Sequence, residues 1–208
     1  MSTDVSVRVG QTVVQPSDRV RDLGVILDSS LSMRQHIAKV ASTCLFHLRK
    51  LGKIGKVLDR DSRNRLVCAF ILTRTDYSNA VFAGLSDSTL APLQRVFHAA
   101  ARFVDDLRPR DHVTESLMSL HWLPVRERIT HKLCNLMHGD LTGRCHLRSA
   151  QDCLFDIPWS RTAFGSRAFS TTEPQTWNQL PTDIRNIATY TTFKHNLKTF
   201  LFNIAYGN

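Results

Sequence analysis

The chain has 208 residues, 42% of them apolar, and a net charge of +9 from 27 Lys or Arg against 18 Asp or Glu. That is enough apolar material to bury a real core in one domain or two small ones, and too much for a disordered polymer. The longest uninterrupted apolar run, Leu66 to Leu72, has seven residues where a bilayer needs roughly 20; no membrane partner is expected, and the positive excess favours a polyanion.

Val5, Val7 and Val9 alternate with polar residues, Gly10-Gln11 can turn, and Val13-Val14 can return, which predicts a short hairpin. No basic stretch followed by an apolar one opens the chain. Secretion is therefore not expected, the five cysteines should be reduced, and the location should be cytoplasmic or nuclear. After Pro16-Ser17-Asp18, Leu23 to Leu27 predicts a third strand bounded by Asp28-Ser29-Ser30, with Asp28 a natural helix cap. Three strands make a small sheet that needs a helix across one face.

That helix begins at Met33. Met33, Ile37, Val40, Ala41, Cys44, Leu45, Leu48 and Leu51 recur at helical spacing, and Lys39, Arg49 and Lys50 take the opposite face. Ser29, Ser30 and Ser32 are available to cap it, and Gly52 to end it in a left-handed conformation. Between Leu31 and Arg60 seven Lys or Arg stand against the single acid Asp59, so six of the nine net charges fall in thirty residues. Such a concentration asks for a polyanion; a solvated helix face is the alternative.

Asp59 or Asp61 can cap a second helix to about Thr73, apolar almost all round at Leu66 to Leu72 and so expected to be buried between others. A third starts near Asp87-Ser88, takes Pro92 in its first turn, and carries Leu90, Leu93, Val96, Phe97, Ala100 and Phe103. Thr114 can cap a short helix with Leu117 and Leu120. Pro124 opens a further one, with Val125, Ile129, Leu133, Leu136 and Met137 on one side and Gly139 to close it. From Asp140 to Asn186 the chain is rich in Thr, Ser, Arg, Pro and Gly, which predicts loops and short strands. Phe193, Leu197, Phe200, Leu201 and Ile204 mark a terminal helix, with Thr191-Thr192 as its cap.

The chemical signals are sparse. Phe103-Val104-Asp105-Asp106 has the form of the aspartate box that holds magnesium in polymerases, but it ends an alanine-rich helix rather than capping a strand hairpin. Leu51 to Leu58 contains a Gly-x-x-Gly loop like that of KH domains, an alternative RNA-binding reading that lacks the strands a KH fold needs next. Cys134, His138, Cys145, His146 and Cys153 fit no tight zinc spacing, so no metal is assigned. No nucleophile elbow or phosphate-binding P-loop occurs. Tyr77, Phe82, Trp122, Trp159, Phe164, Phe169 and Trp177 lie near basic residues, as in base-stacking platforms. Trp122 reads as a core anchor, and Trp159, Arg161, Phe164 and Arg167 as the better candidates.

Eight runs then share one order. They are VRDLGVILDSSLSMRQHI from Val20, TRTDYSNAVFAGL from Thr73, AAAR from Ala99, RDHVT from Arg110, LHWLPVRERI from Leu120, FGSRAFS from Phe164, TWNQLPTDIR from Thr176 and TFKHNLKTFLF from Thr192. Together they resemble the carboxyl-terminal region of LINE-type, non-LTR retrotransposon reverse transcriptases, over nearly the whole chain. The resemblance implies that the endonuclease and the polymerase palm, with its aspartates and magnesium, lie upstream, so this fragment is not itself an enzyme and needs no cofactor. It implies that Leu23-Gly24-Val25 is the last palm strand and that the helices from Met33 to His138 form a thumb-like bundle. Lys39, Arg49, Lys50, Lys53, Lys56 and Arg60 then become phosphate contacts, with Arg161 and Arg167 added from the aromatic reading. Thr75, Ser78 and His98 stand where the family has Leu, Cys and Asn, Gly52 and Gly55 where it favours helix formers or Arg, and its Pro-x-Tyr-Leu segment is missing between Gly143 and Leu147. These departures suggest a decayed or truncated copy of the element.

The expectation is a mainly α chain: terminal palm-like strands over 1–30, a helical thumb-like bundle over 31–139, and an irregular α+β segment over 140–208 ending in a helix. Its expected partners are RNA or an RNA–DNA duplex, held weakly and without sequence preference, and the palm domain of the parent protein. A helical protein-interaction remnant, or a copy without function, is the alternative.

Overall fold

Residues 6–141, 154–162 and 165–207 are described by a computed structural model. Two antiparallel hairpins open it, β1 (Val7–Val9) with β2 (Thr12–Val14) and β3 (Arg19–Asp22) with β4 (Val25–Asp28). Instead of one three-stranded sheet there are two separate pairs. Leu23 and Gly24 form a turn, not the start of a strand, because both take positive φ, 44° and 86°, the conformation that joins twisted strands in two residues. β1 and β2 are exposed along their length, while β4 lays Val25 against the helices.

Asp28 organises the entry to the first helix, α1 (Arg34–Gly52). Its carboxylate accepts from the backbone N–H groups of Ser30, Ser32 and Met33 at 3.2, 2.9 and 3.2 Å and from the Ser30 and Ser32 hydroxyls at 2.6 and 3.0 Å. The serines thus mostly donate to Asp28 instead of capping α1; among them Ser32 alone accepts from a helix amide, Arg34 N–H at 3.4 Å. Met33, left-handed at φ 60°, makes the bend. Ile37, Ala41, Cys44, Leu48 and Leu51 turn inward, but Leu45 is exposed, so the apolar stripe is narrower than its spacing suggested. Gly52 is not left-handed; the chain continues through Lys53 into a 3-10 turn at Gly55–Val57. Gly55 is needed there because a Cβ would lie 2.8 Å from the Phe103 ring.

The second helix, α2 (Arg60–Val67), is capped by Asp59, which accepts from Ser62 N–H at 3.3 Å. It runs through a π-helical turn at Cys68–Leu72 into α3 (Thr73–Asp76). Only one side of this rod is covered: Val67, Ile71 and Leu72 are buried but Phe70 is exposed, contrary to the expectation of burial all round, because α1 and the next helix pack on a single face. That next helix, α4 (Asp87–Val104), buries Leu90, Leu93, Val96, Phe97, Ala100 and Val104. Pro92 is its sixth residue, beyond the first turn. Thr114 lies inside α5 (Thr114–Ser119), which has no side-chain cap. Gly139 lies within α6 (Val125–Leu141) rather than closing it, and Cys134 is buried where Leu136 was expected.

Beyond α6, the described residues contain no strand. They form α7 (Phe169–Asn178), α8 (Thr182–Arg185) and α9 (Tyr190–Tyr206), where Thr191 and Thr192 are internal and Thr189 precedes the first turn. The polar α7 is helical because Trp177 is fully buried and its threonines satisfy themselves: Thr172 and Thr176 donate to the carbonyls of Ala168 and Thr172 at 3.1 and 2.6 Å. A larger core joins β4 and α1–α6, and a smaller one joins α6, α7 and α9 around Trp177, Phe193 and Leu197. No described helix is long and apolar enough to cross a membrane.

Candidate nucleic-acid interface

Helical spacing decides which cations of α1 act together. Lys39, Thr43, Phe46 and Lys50 are separated by four, three and four residues and so form one line along the helix. Lys39, Phe46 and Lys50 are all exposed. Lys50 Nζ lies 5.5 Å from the centre of the Phe46 ring, a cation–π contact. Phe46 meets His47 edge-on at 5.7 Å, and His47 stacks on exposed Phe70 at 5.9 Å. Aromatic faces and ammonium groups therefore alternate across the outer wall of α1.

Beside this line runs an open groove of about 620 Å³ between α1, the β3–β4 hairpin and the rod from the π-helical turn through α3. Arg21, Lys39 and Arg74 supply its charge, and no carboxylate lines it. Its floor includes His36, whose Nδ1 accepts from Ile26 N–H at 3.4 Å and whose ring lies 5.8 Å from Phe82. Burial pushes this imidazole below its ordinary pKa, which keeps Nδ1 free to accept. Tyr77 fixes the hairpin over the groove by donating its hydroxyl to the Leu23 carbonyl at 2.6 Å. What results is a fixed cationic trough beside exposed rings, suited to hold a phosphate chain on charge and to stack bases on Phe46 or Phe70.

The candidate residues divide. Lys39, Arg49, Lys50, Lys53 and Lys56 are exposed on α1 and the connection after it. Arg60 is engaged elsewhere: its Nε donates to Asp105 at 2.6 Å and its Nη2 to Ser119 at 3.0 Å. Arg161 covers exposed Trp159 at 4.9 Å. Arg167 is half-buried with its aliphatic stem against Gly84, where a Cβ would come within 3.0 Å. Neither lines the groove. Phe164 lies outside the described residues. Arg21, Phe46, Phe70 and Arg74 were missed; the spacing of Phe46 between Lys39 and Lys50 was the available signal, while the others reach the groove only through tertiary packing.

Those of the remaining signals that fall on described residues have partners within the fold. Asp105 follows α4 and accepts from Arg60 and from the Ser116 hydroxyl, and Asp106, at φ 54°, lies 3.9 Å from Arg63. The Gly-x-x-Gly segment leads into α2, and Trp122 is a buried anchor edge-on to Phe97. His138 donates from Nε2 to the Ile187 carbonyl, 2.7 Å away, and stacks on Phe193 at 4.3 Å. Cys145, His146 and Cys153 lie outside the described residues. Burial raises the Cys44 thiol to about 11, and burial with the nearby Glu173 charge raises Cys134 to about 12, which leaves both unreactive. Among the described residues no three His, Cys, Asp or Glu gather as a metal site. Set against protein-family models, curated proteins and solved structures, the chain matches none of them.

Proposed function

We propose that this chain is a non-catalytic, thumb-like segment of a LINE-type reverse transcriptase that holds RNA or an RNA–DNA duplex through its phosphates, without reading sequence. The observation that carries this reading is the carboxylate-free trough formed by Arg21, Lys39 and Arg74 beside the Phe46 and Phe70 rings. Such a surface neutralises a backbone and stacks any base. The occupied state of Asp105 supports a binding role over a catalytic one, and magnesium belongs, on this reading, to a palm domain of the parent protein. The cytoplasm or nucleus is where such a substrate is met.

A second reading treats the same side as a seat for that palm domain. It is favoured by the exposed apolar residues Leu23 in the β3–β4 turn and Ile54 and Val57 after α1, the first and last 84% and 88% exposed, since large apolar side chains left in water are candidates for a partner's cover.

Fluorescence anisotropy with a labelled RNA hairpin and an RNA–DNA duplex, titrated from low to high salt, separates the two. Phosphate binding gives a log–log salt slope of about −0.7 to −0.9 per neutralised phosphate. Lys39→Glu with Lys50→Glu weakens it by about a hundredfold, because two contacts are lost and two repulsions added. A flat salt titration, or unchanged affinity in the double variant, removes the nucleic-acid reading.

A further inference from the structure

A second cavity, of about 590 Å³, opens between α6 and α9 and shares no lining residue with the groove beside α1. On α6, Arg128, His131, Lys132 and Asn135 fall three, four and seven residues apart and so share a face. On α9, Lys194, His195 and Lys198 do the same, one to two turns into the helix. Two cationic faces are thus directed into one hollow. Arg128 is neutralised there by Asp76, the one acid in the lining, to which its Nε donates at 2.8 Å. Lys132, Lys194 and Lys198 form no ion pair with a described residue. Like charges gathered around a concave surface raise its potential and concentrate an anion.

Two further features point the same way. The first turn of α9 lines the cavity through Tyr190 and Thr191, with no side-chain cap and no acid in that turn, which leaves the positive end of the helix dipole uncompensated there. At the cavity wall stands Asn79, 4% exposed, with its Oδ1 lacking a hydrogen-bond partner among the described residues. Since an amide can rotate to present either end, it can donate to an anionic oxygen or accept from a protonated one. Burial first pushes His131 down to about 4; a backbone hydrogen bond to Lys194 works against this, and the charges of Lys194, Arg128 and Lys198 add to it.

We propose that the α6–α9 cavity binds a phosphate group, held by Lys132, Lys194 and Lys198 around it and by Asn79 and the N-terminus of α9 within it. Three lysines and a helix terminus match a tetrahedral oxyanion of charge −2 better than a carboxylate of charge −1. The phosphate is either free or the terminal monoester of a polynucleotide. This site goes beyond the reading of α1 and does not rest on it.

The test is isothermal titration of the whole chain, in a buffer free of oxyanions, with inorganic phosphate and with a short RNA bearing or lacking a 5′-phosphate. Saturable binding of inorganic phosphate is expected, weakened about tenfold or more by Lys194→Gln with Lys198→Gln. Lys194→Arg with Lys198→Arg, which keeps both charges, should retain it. Tighter binding of the 5′-phosphorylated RNA, with the difference abolished by the glutamine pair, identifies a polynucleotide end; equal binding of both RNAs identifies free phosphate. These lysines are exposed, so the fold tolerates the changes. The variant Lys39→Glu with Lys50→Glu should bind inorganic phosphate as the unaltered chain does, whatever becomes of its RNA affinity. No saturable phosphate binding, or binding unaffected by the glutamine pair, overturns the proposal and leaves the reading of α1 untouched.

Discussion

Arg60 Nε lies 2.6 Å from Asp105 Oδ1, so a candidate phosphate contact and the first aspartate of the box-like motif are paired with each other. A cation that could have held phosphate and a carboxylate that could have held magnesium neutralise each other, with the Ser116 hydroxyl on the second carboxylate oxygen. The pair ties the start of α2 to the ends of α4 and α5.

Asp105→Asn should therefore be a stability variant. Removing the charge leaves Arg60 and Ser116 poorly matched and costs about 1 kcal/mol in urea unfolding. Primer extension should be at background both before and after the substitution. Extension that is measurable in the unaltered chain and vanishes in Asp105→Asn would make these aspartates catalytic.

Asp28→Ala should cost about 1–2 kcal/mol, since three backbone amides and two hydroxyls lose their acceptor. The Ser30 hydroxyl first, then the Ser32 amide, hold the Asp28 carboxyl down at about 2, below its ordinary 3.8. Its contribution is thus complete above about pH 4 and fades as pH falls toward 2. Unfolding curves at pH 6 and pH 2.5 should differ less in Asp28→Ala than in the unaltered chain.

His131 acts in a higher window. Its folded-state pKa of about 4 lies below the ordinary 6.5, so the unfolded chain takes up the proton first as pH falls. Stability present above 6.5 is lost progressively down to about 4, by about 1–3 kcal/mol from this residue. His36 and His98, also lowered chiefly by burial, add to the same slope. His131→Gln should flatten it, measured by urea midpoints at pH 7 and 4.5 in phosphate-free buffer; an equal slope in the variant would refute the assignment.

Gly55→Ala should cost about 1–3 kcal/mol, because the new methyl would meet the Phe103 ring at 2.8 Å. Phe103→Leu should recover part of the loss in a double-mutant cycle. Additive effects would mean that the turn and the ring do not touch.

The parts of this molecule that were legible in the sequence are those where one face is apolar at a regular period. α1, α4 and α9 announced themselves in that way, and so did the mainly helical class. α7 did not, because its burial rests on Trp177 and on threonines that become compatible with a core only after their hydroxyls bond backward to the helix. The Leu23-Gly24 turn reads as strand in the sequence because a left-handed leucine leaves no trace in composition. At the candidate site, the lysines of α1 were legible from charge density alone. Arg21 and Arg74 come from elements 18 residues before and 35 residues after Lys39, and only packing brings them to one groove.

α6 contributes Val125, Ile129 and Leu133 to the larger core and Cys134 and Met137 to the smaller one. A single rod thus serves as the party wall of two rooms. Shortening the protein from its carboxyl end would not simply discard an appendage: it would strip Cys134 and Met137 of their cover, and the damage would pass along the same helix into the half that carries the basic trough.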